Sequence, residues 1–123
     1  MKKLPLLLAL IANAAFAQTA YVTPPGTRKV GDTIETSKSF FILHESAPCG
    51  LPIANAKNMH KAEIYNTSVP DIGCWGTILS ATKGDYVVIG PYGNVSKGNL
   101  VGFSKVKLQP NGSGVIIDGW PGM

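Results

Sequence analysis

The chain has 123 residues, with eleven Lys and Arg against seven Asp and Glu, a formal net charge of +4. Lys2 and Lys3 belong to an export leader, so the chain beyond it carries nine basic against seven acidic residues, about +2, too weak and too scattered for a nucleic-acid binder. The length bounds the chain to one domain; there is no internal repeat, no low-complexity tract and no second apolar run long enough for stable membrane insertion.

Residues 1–17 read as a secretory signal peptide. Lys2 and Lys3 form the basic start, and Leu4 to Ala12 is apolar with only Pro5 interrupting. Ala15-Phe16-Ala17 is a small-x-small cleavage pattern. The product is expected to start near Gln18 and to work in the periplasm or outside a bacterial cell. No cysteine stands near the cleavage point to carry a lipid anchor.

Residues 18–37 read as an N-terminal arm lying loosely on the domain. Thr23-Pro24-Pro25-Gly26 is turn or extended chain, and Val30 to Thr36 holds at most a short strand. The β-domain proper is expected over residues 38–123. Ser39 to Glu45 is a short run of aromatic and branched residues, apolar on both faces, and predicts a central strand. His44 ends it beside Glu45. Ala47 to Pro52 predicts a rigid turn that no strand ladder crosses, because Pro48 and Pro52 lack donors. Ile53 to Met59 has room for one helical turn.

His60 to Asn66 alternates, with Ala62 and Ile64 on one side and Lys61, Glu63 and Tyr65 on the other, as a half-exposed strand does. Asp71 to Leu79 predicts the next strand, with Cys74 on one face and Trp75 on the other. Gly73 and Gly76 mark a bend or a close backbone approach there. Tyr86 to Ile89, Leu100 to Phe103, Ser104 to Leu108 and Val115 to Ile117 are further short strands, with Ser96 to Asn99 read as a turn. Gly119 to Gly122 reads as a tail, with Trp120 able to tuck back into the domain. About five to seven short strands joined by hairpin turns imply a mainly β fold: a small antiparallel barrel, or a curled sheet or sandwich.

Cys49 and Cys74 are the only cysteines. In an exported chain they most simply form one disulfide, closing a loop of about 26 residues and stabilising the fold by roughly 3–4 kcal/mol. The spacing of Cys49, Cys74, His44 and His60 matches no zinc module, and no cofactor motif is present. Ser46 and Ser80 lack a nucleophile-elbow context. Three Asn-x-Ser/Thr triplets, at Asn66, Asn94 and Asn111, fall at turns and are read as turn residues.

The arrangement Ala47-Pro48-Cys49, then Met59 to Glu63, then Gly73-Cys74-Trp75, then Gly84 to Ile89, resembles small exported proteins of bacterial and prophage genomes. The resemblance spans roughly residues 48 to 108 and implies a secreted, disulfide-bonded β-domain; it brings no activity and no site. The connection from Tyr86 to Leu100, with its extra glycines, departs from that pattern.

The functional expectation is a binding module whose partner is a protein of the cell envelope. Its candidate surface is Trp75 with Tyr65, Glu63 and Lys61, an aromatic with flanking charges as in interface hot spots. The alternatives are a small envelope hydrolase or metal-binding protein using His44, His60 and Glu63, and a prophage-encoded envelope factor.

Overall fold

The computed structural model describes residues 18–23, 29–79 and 83–119; the residues 1–17 expected to form a signal peptide, Ser80 and Trp120 lie outside them. The described residues form one nine-stranded sheet in which every neighbouring pair is antiparallel. The strands are β1 (Thr19–Val22), β2 (Thr33–Glu35), β3 (Phe41–Pro48), β4 (His60–Ile64), β5 (Asp71–Thr77), β6 (Asp85–Ile89), β7 (Val95–Asn99), β8 (Ser104–Leu108) and β9 (Ser113–Gly119). Their order is β2-β9-β8-β1-β3-β4-β5-β6-β7. The sheet is mainly β as expected, but it is open: β2 and β7 are edges, so the barrel form of the expectation is not the one adopted.

Residues 18–23 are not a loose arm. β1 sits in the middle of the sheet, with Tyr21 opposite Leu43 of β3 and Lys105 of β8. Ala20 and Val22 are fully buried and Tyr21 nearly so, which only a strand covered on both faces achieves. β2 continues the same theme at the far edge, pairing with β9.

Because β1 and β3 are covered on both faces, the sheet carries two cores. On one face Tyr21, Phe41, Leu43, Ala62, Ile64, Trp75, Tyr86 and Val88 pack together, capped by Leu100 and Phe103. Their aromatic rings meet edge to face: Tyr21 on Trp75 at 6.1 Å, Phe41 on Tyr86 at 6.2 Å and Tyr86 on Phe103 at 5.5 Å. On the other face Ala20, Val22, Ile34, Ile42, Val106 and Ile116 form the second core, with Tyr65 and Leu108 packed at its margin.

Two local readings are corrected. Residues 96–99 are not a turn but belong to edge strand β7, while Leu100 to Phe103 is the turn, with both its end residues buried. The polar edge strand lacks apolar alternation because it is covered on little of its surface. Gly98 lies under the Tyr86 ring, where a Cβ would come within 2.7 Å of the phenol oxygen. Pro48 likewise lies in a ladder, opposite His60, at the end of β3. The register slips between Leu43 and Pro48, and such an irregularity is where a strand tolerates proline.

Cys49 and Cys74 are joined in a disulfide, with Cα atoms 5.1 Å apart. It ties the segment after β3 to fully buried Cys74 in β5. A structural disulfide belongs to an oxidising setting, which places the chain outside the reducing cytoplasm. No helix among the described residues is long and apolar enough to cross a membrane. The expected close approach at Gly73 is present: a Cβ there would run into the Ile89 carbonyl oxygen of β6. Replacing both cysteines by serine is expected to lower unfolding free energy by about 3–4 kcal/mol in denaturant titrations. An unchanged midpoint and slope would contradict that role.

Candidate functional site

The predicted surface does not assemble as expected. Alternation within β4 and within β5 is as read, but the register between them decides which faces coincide. His60 stands opposite Trp75 and Glu63 opposite Ile72, so Trp75 shares its face with His60 and Ala62. Lys61, Glu63 and Tyr65 point to the other face. Trp75 is 5% exposed, and its Nε1–H donates to the His44 carbonyl oxygen at 2.8 Å, inside the stretch where the β3–β4 register slips. Trp75 is a core residue that fastens β5 to β3.

What the structure brings together is His44, Glu63 and Tyr65. Glu63 lies across the ladder from Ile42, on the face of Ala20 and the second core, and His44, two residues on, shares that face. His44 is buried, and its Nε2 is 2.6 Å from Oε2 of Glu63. The other carboxylate oxygen, Oε1, accepts from the Tyr65 hydroxyl at 3.2 Å. His44 Nδ1 is buried without a hydrogen-bond partner among the described residues. Of the two neutral tautomers, Nε2–H is therefore the one that makes a bond, donating to Glu63. The hydrogen bond from His44 holds the Glu63 carboxyl below its ordinary range, outweighing the opposing effect of burial. Burial, then the Glu63 charge, pushes the Tyr65 phenol up.

Among the described residues, His44, His60 and Glu63 do not converge on one site. The imidazole nitrogen not facing Glu63 is enclosed, and no nucleophile is hydrogen-bonded to it. His60 lies on the opposite face, its ring 6.5 Å from that of Trp75. Among the described residues no three His, Cys, Asp or Glu side chains stand close enough to hold a metal ion.

The opposite face carries a second polar cluster. Glu45 accepts from the Thr19 hydroxyl at 2.5 Å and pairs with Lys105 Nζ at 3.3 Å, and the Tyr21 phenol also bonds to it. Burial raises the Glu45 carboxyl, but these three donors outweigh it and the net direction is down. Burial first, and the Glu45 charge second, push the Tyr21 phenol up to about 12. The cluster fastens β1 to β3 and β8.

The His44–Glu63–Tyr65 chain reaches a cleft through Tyr65. The Tyr65 ring, seated on the margin of the second core, lines a cleft of about 290 Å³ together with Glu35, Thr36, Ser37, Asn111 and Ser113. A neighbouring cleft of about 490 Å³ shares Asn111 and Ser113 and adds Thr33, Gln109, Pro110 and Val115. The shared wall is built rather than loose. Thr36 donates to the Gly112 carbonyl oxygen through both its backbone N–H, at 3.2 Å, and its hydroxyl, at 2.8 Å. Asn111 Oδ1 accepts from the Ser113 backbone N–H at 3.1 Å and the Ser113 hydroxyl at 2.7 Å. Gly112 takes a positive φ of 88°, which closes the turn. In the sequence the Asn111 triplet reads as a turn and no more. The signal present was Asn-Gly-Ser, a turn that folds its own side chains onto its backbone.

No protein-family model matches this chain, and neither a curated protein nor a solved structure does.

Glu63→Gln is expected to cost about 1–3 kcal/mol near neutral pH, the range for a hydrogen bond to a charged group. It also changes the acid response. A carboxyl whose folded pKa lies below its ordinary value of 4.5 adds stability that is complete above that pH and lost as pH falls through the folded value. Acid unfolding of the variant, followed by circular dichroism, should therefore show a shallower fall in stability below that pH. An acid limb identical to the parent's would contradict the assignment.

Proposed function

We propose that this protein is an exported, disulfide-stabilised binding module of the bacterial cell envelope, with the Tyr65 cleft as its binding face. One observation carries the reading: an aromatic ring lining a cleft is held in place by the half-buried Glu63 carboxylate, itself bonded to buried His44. Such an arrangement fixes a contact surface before a ligand arrives, which lowers the ordering cost of binding. Glu63 serves the surface indirectly, by anchoring Tyr65, and Lys61 flanks it on the same face. Trp75 serves as scaffold.

The envelope setting is supported by the leader-like residues 1–17, by the disulfide and by the likeness of the Cys49 and Gly73-Cys74-Trp75 arrangement to small exported bacterial and prophage proteins. Periplasmic or extracellular residence, and a prophage origin, belong to this proposal.

The test uses the exported chain and Ser37→Trp, which puts a bulky ring into the cleft from an exposed position. Both are cross-linked in parallel to envelope extract, with thermal melts to verify folding. The expected result is a dominant cross-linked component with the parent, lost with a variant that melts at the parent's temperature. Identical capture by both proteins, or none above background, would contradict the proposal.

A further inference from the structure

We propose that the Tyr65 cleft and its neighbour together bind an uncharged oligosaccharide; this rests on the binding-module reading and names its ligand class. The polar lining is dominated by neutral groups: Thr33, Ser37, Gln109, Asn111 and Ser113 present hydroxyls and carboxamides. These offer donors and acceptors side by side, which is what sugar hydroxyls, each both donor and acceptor, require. The one ionised side chain lining the two clefts among the described residues, Glu35, is 3.3 Å from Lys38 and so contributes little net charge. No cation lines either cleft to recruit a phosphate or carboxylate.

The aromatic component points the same way. A pyranose has an apolar C–H face that lies on an aromatic ring while its hydroxyls reach polar neighbours at the side. Tyr65 offers such a ring with its hydroxyl already engaged by Glu63, so the phenol does not compete for the ligand's hydroxyls. A peptide would instead call for apolar side-chain pockets or a long free strand edge. Here the adjoining edge strand β2 has only three residues, and the aliphatic lining is confined to Pro110 and Val115.

Shape sets the length of the ligand. Asn111 and Ser113 line both clefts, and the proposed ligand passes over this turn from one cleft to the other. Volumes of about 290 and 490 Å³ make the pair a site for more than one sugar unit, within the range of roughly 300–1,000 Å³ common to small-molecule sites. Thr36, bonded twice to Gly112, keeps the wall in place without the ligand.

The experiment is an amide NMR titration of the oxidised protein with maltohexaose, cellohexaose and chitohexaose N-acetylated throughout, with a polygalacturonate oligomer as the charged control. At least one neutral oligosaccharide should shift the Tyr65, Asn111, Gly112 and Ser113 amides at millimolar concentration. Ser37→Trp should weaken it by at least about tenfold. Absence of cleft shifts with all three neutral ligands, stronger shifts with the charged control, or indifference to Ser37→Trp would overturn the inference. If no saccharide binds while envelope capture is still lost in Ser37→Trp, the saccharide class falls and the binding module stands, with a protein as its partner. If both assays are negative, both readings fall.

Discussion

Four residues, Thr19–Val22, hold the sheet together. On one side lie β3 to β7, on the other β8, β9 and β2, and β1 pairs with both. Its side chains alternate into the two cores: Tyr21 into the aromatic one, Ala20 and Val22 into the aliphatic one. Glu45, with Thr19 and Tyr21 of β1 and Lys105 of β8, adds a polar clamp at the same junction. Removing β1 would expose edges on both β3 and β8 and leave each core without its centre. Both polar clusters follow from this placement, because β1 separates the face of Glu45 from the face of His44 and Glu63.

The register slip between β3 and β4 is the second constraint. It lets Pro48 end a strand, delivers Cys49 to Cys74, and leaves the His44 carbonyl facing the Trp75 indole. The disulfide and the tryptophan thus fasten the same irregular region from opposite faces of β5. The His44 side chain, on the face away from Trp75, meets Glu63, which holds Tyr65 at the cleft. Scaffold and candidate surface share one residue: His44 gives its backbone to the core and its side chain to the site.

Much of this was legible locally. The apolar run at Phe41 to His44, the alternation through β4 and β8, the disulfide and the tight packing at Gly73 all follow from residue type and spacing. What was not legible depends on register and on sequence-distant pairing. The parity of β4 against β5 put Trp75 inside, although each strand's own alternation was read correctly. β1 is too short to show a period and sits in the sequence between the leader-like residues 1–17 and a proline pair, which gives it the look of a tail. The cleft joins Glu35 to Ser37, Tyr65 and the turn at Asn111 to Ser113, segments that no local pattern connects.

The central claim is that the first strand is the keystone of the sheet, and amide hydrogen exchange of the oxidised chain from Gln18 onward tests it most directly. The account predicts that the amides of Ala20, Tyr21 and Val22 include some of the slowest in the protein, exchanging together with those of Ile42 and Val106 through global unfolding. Exchange of these three amides at the rate of an unstructured tail, with β3 and β8 still protected, would contradict it.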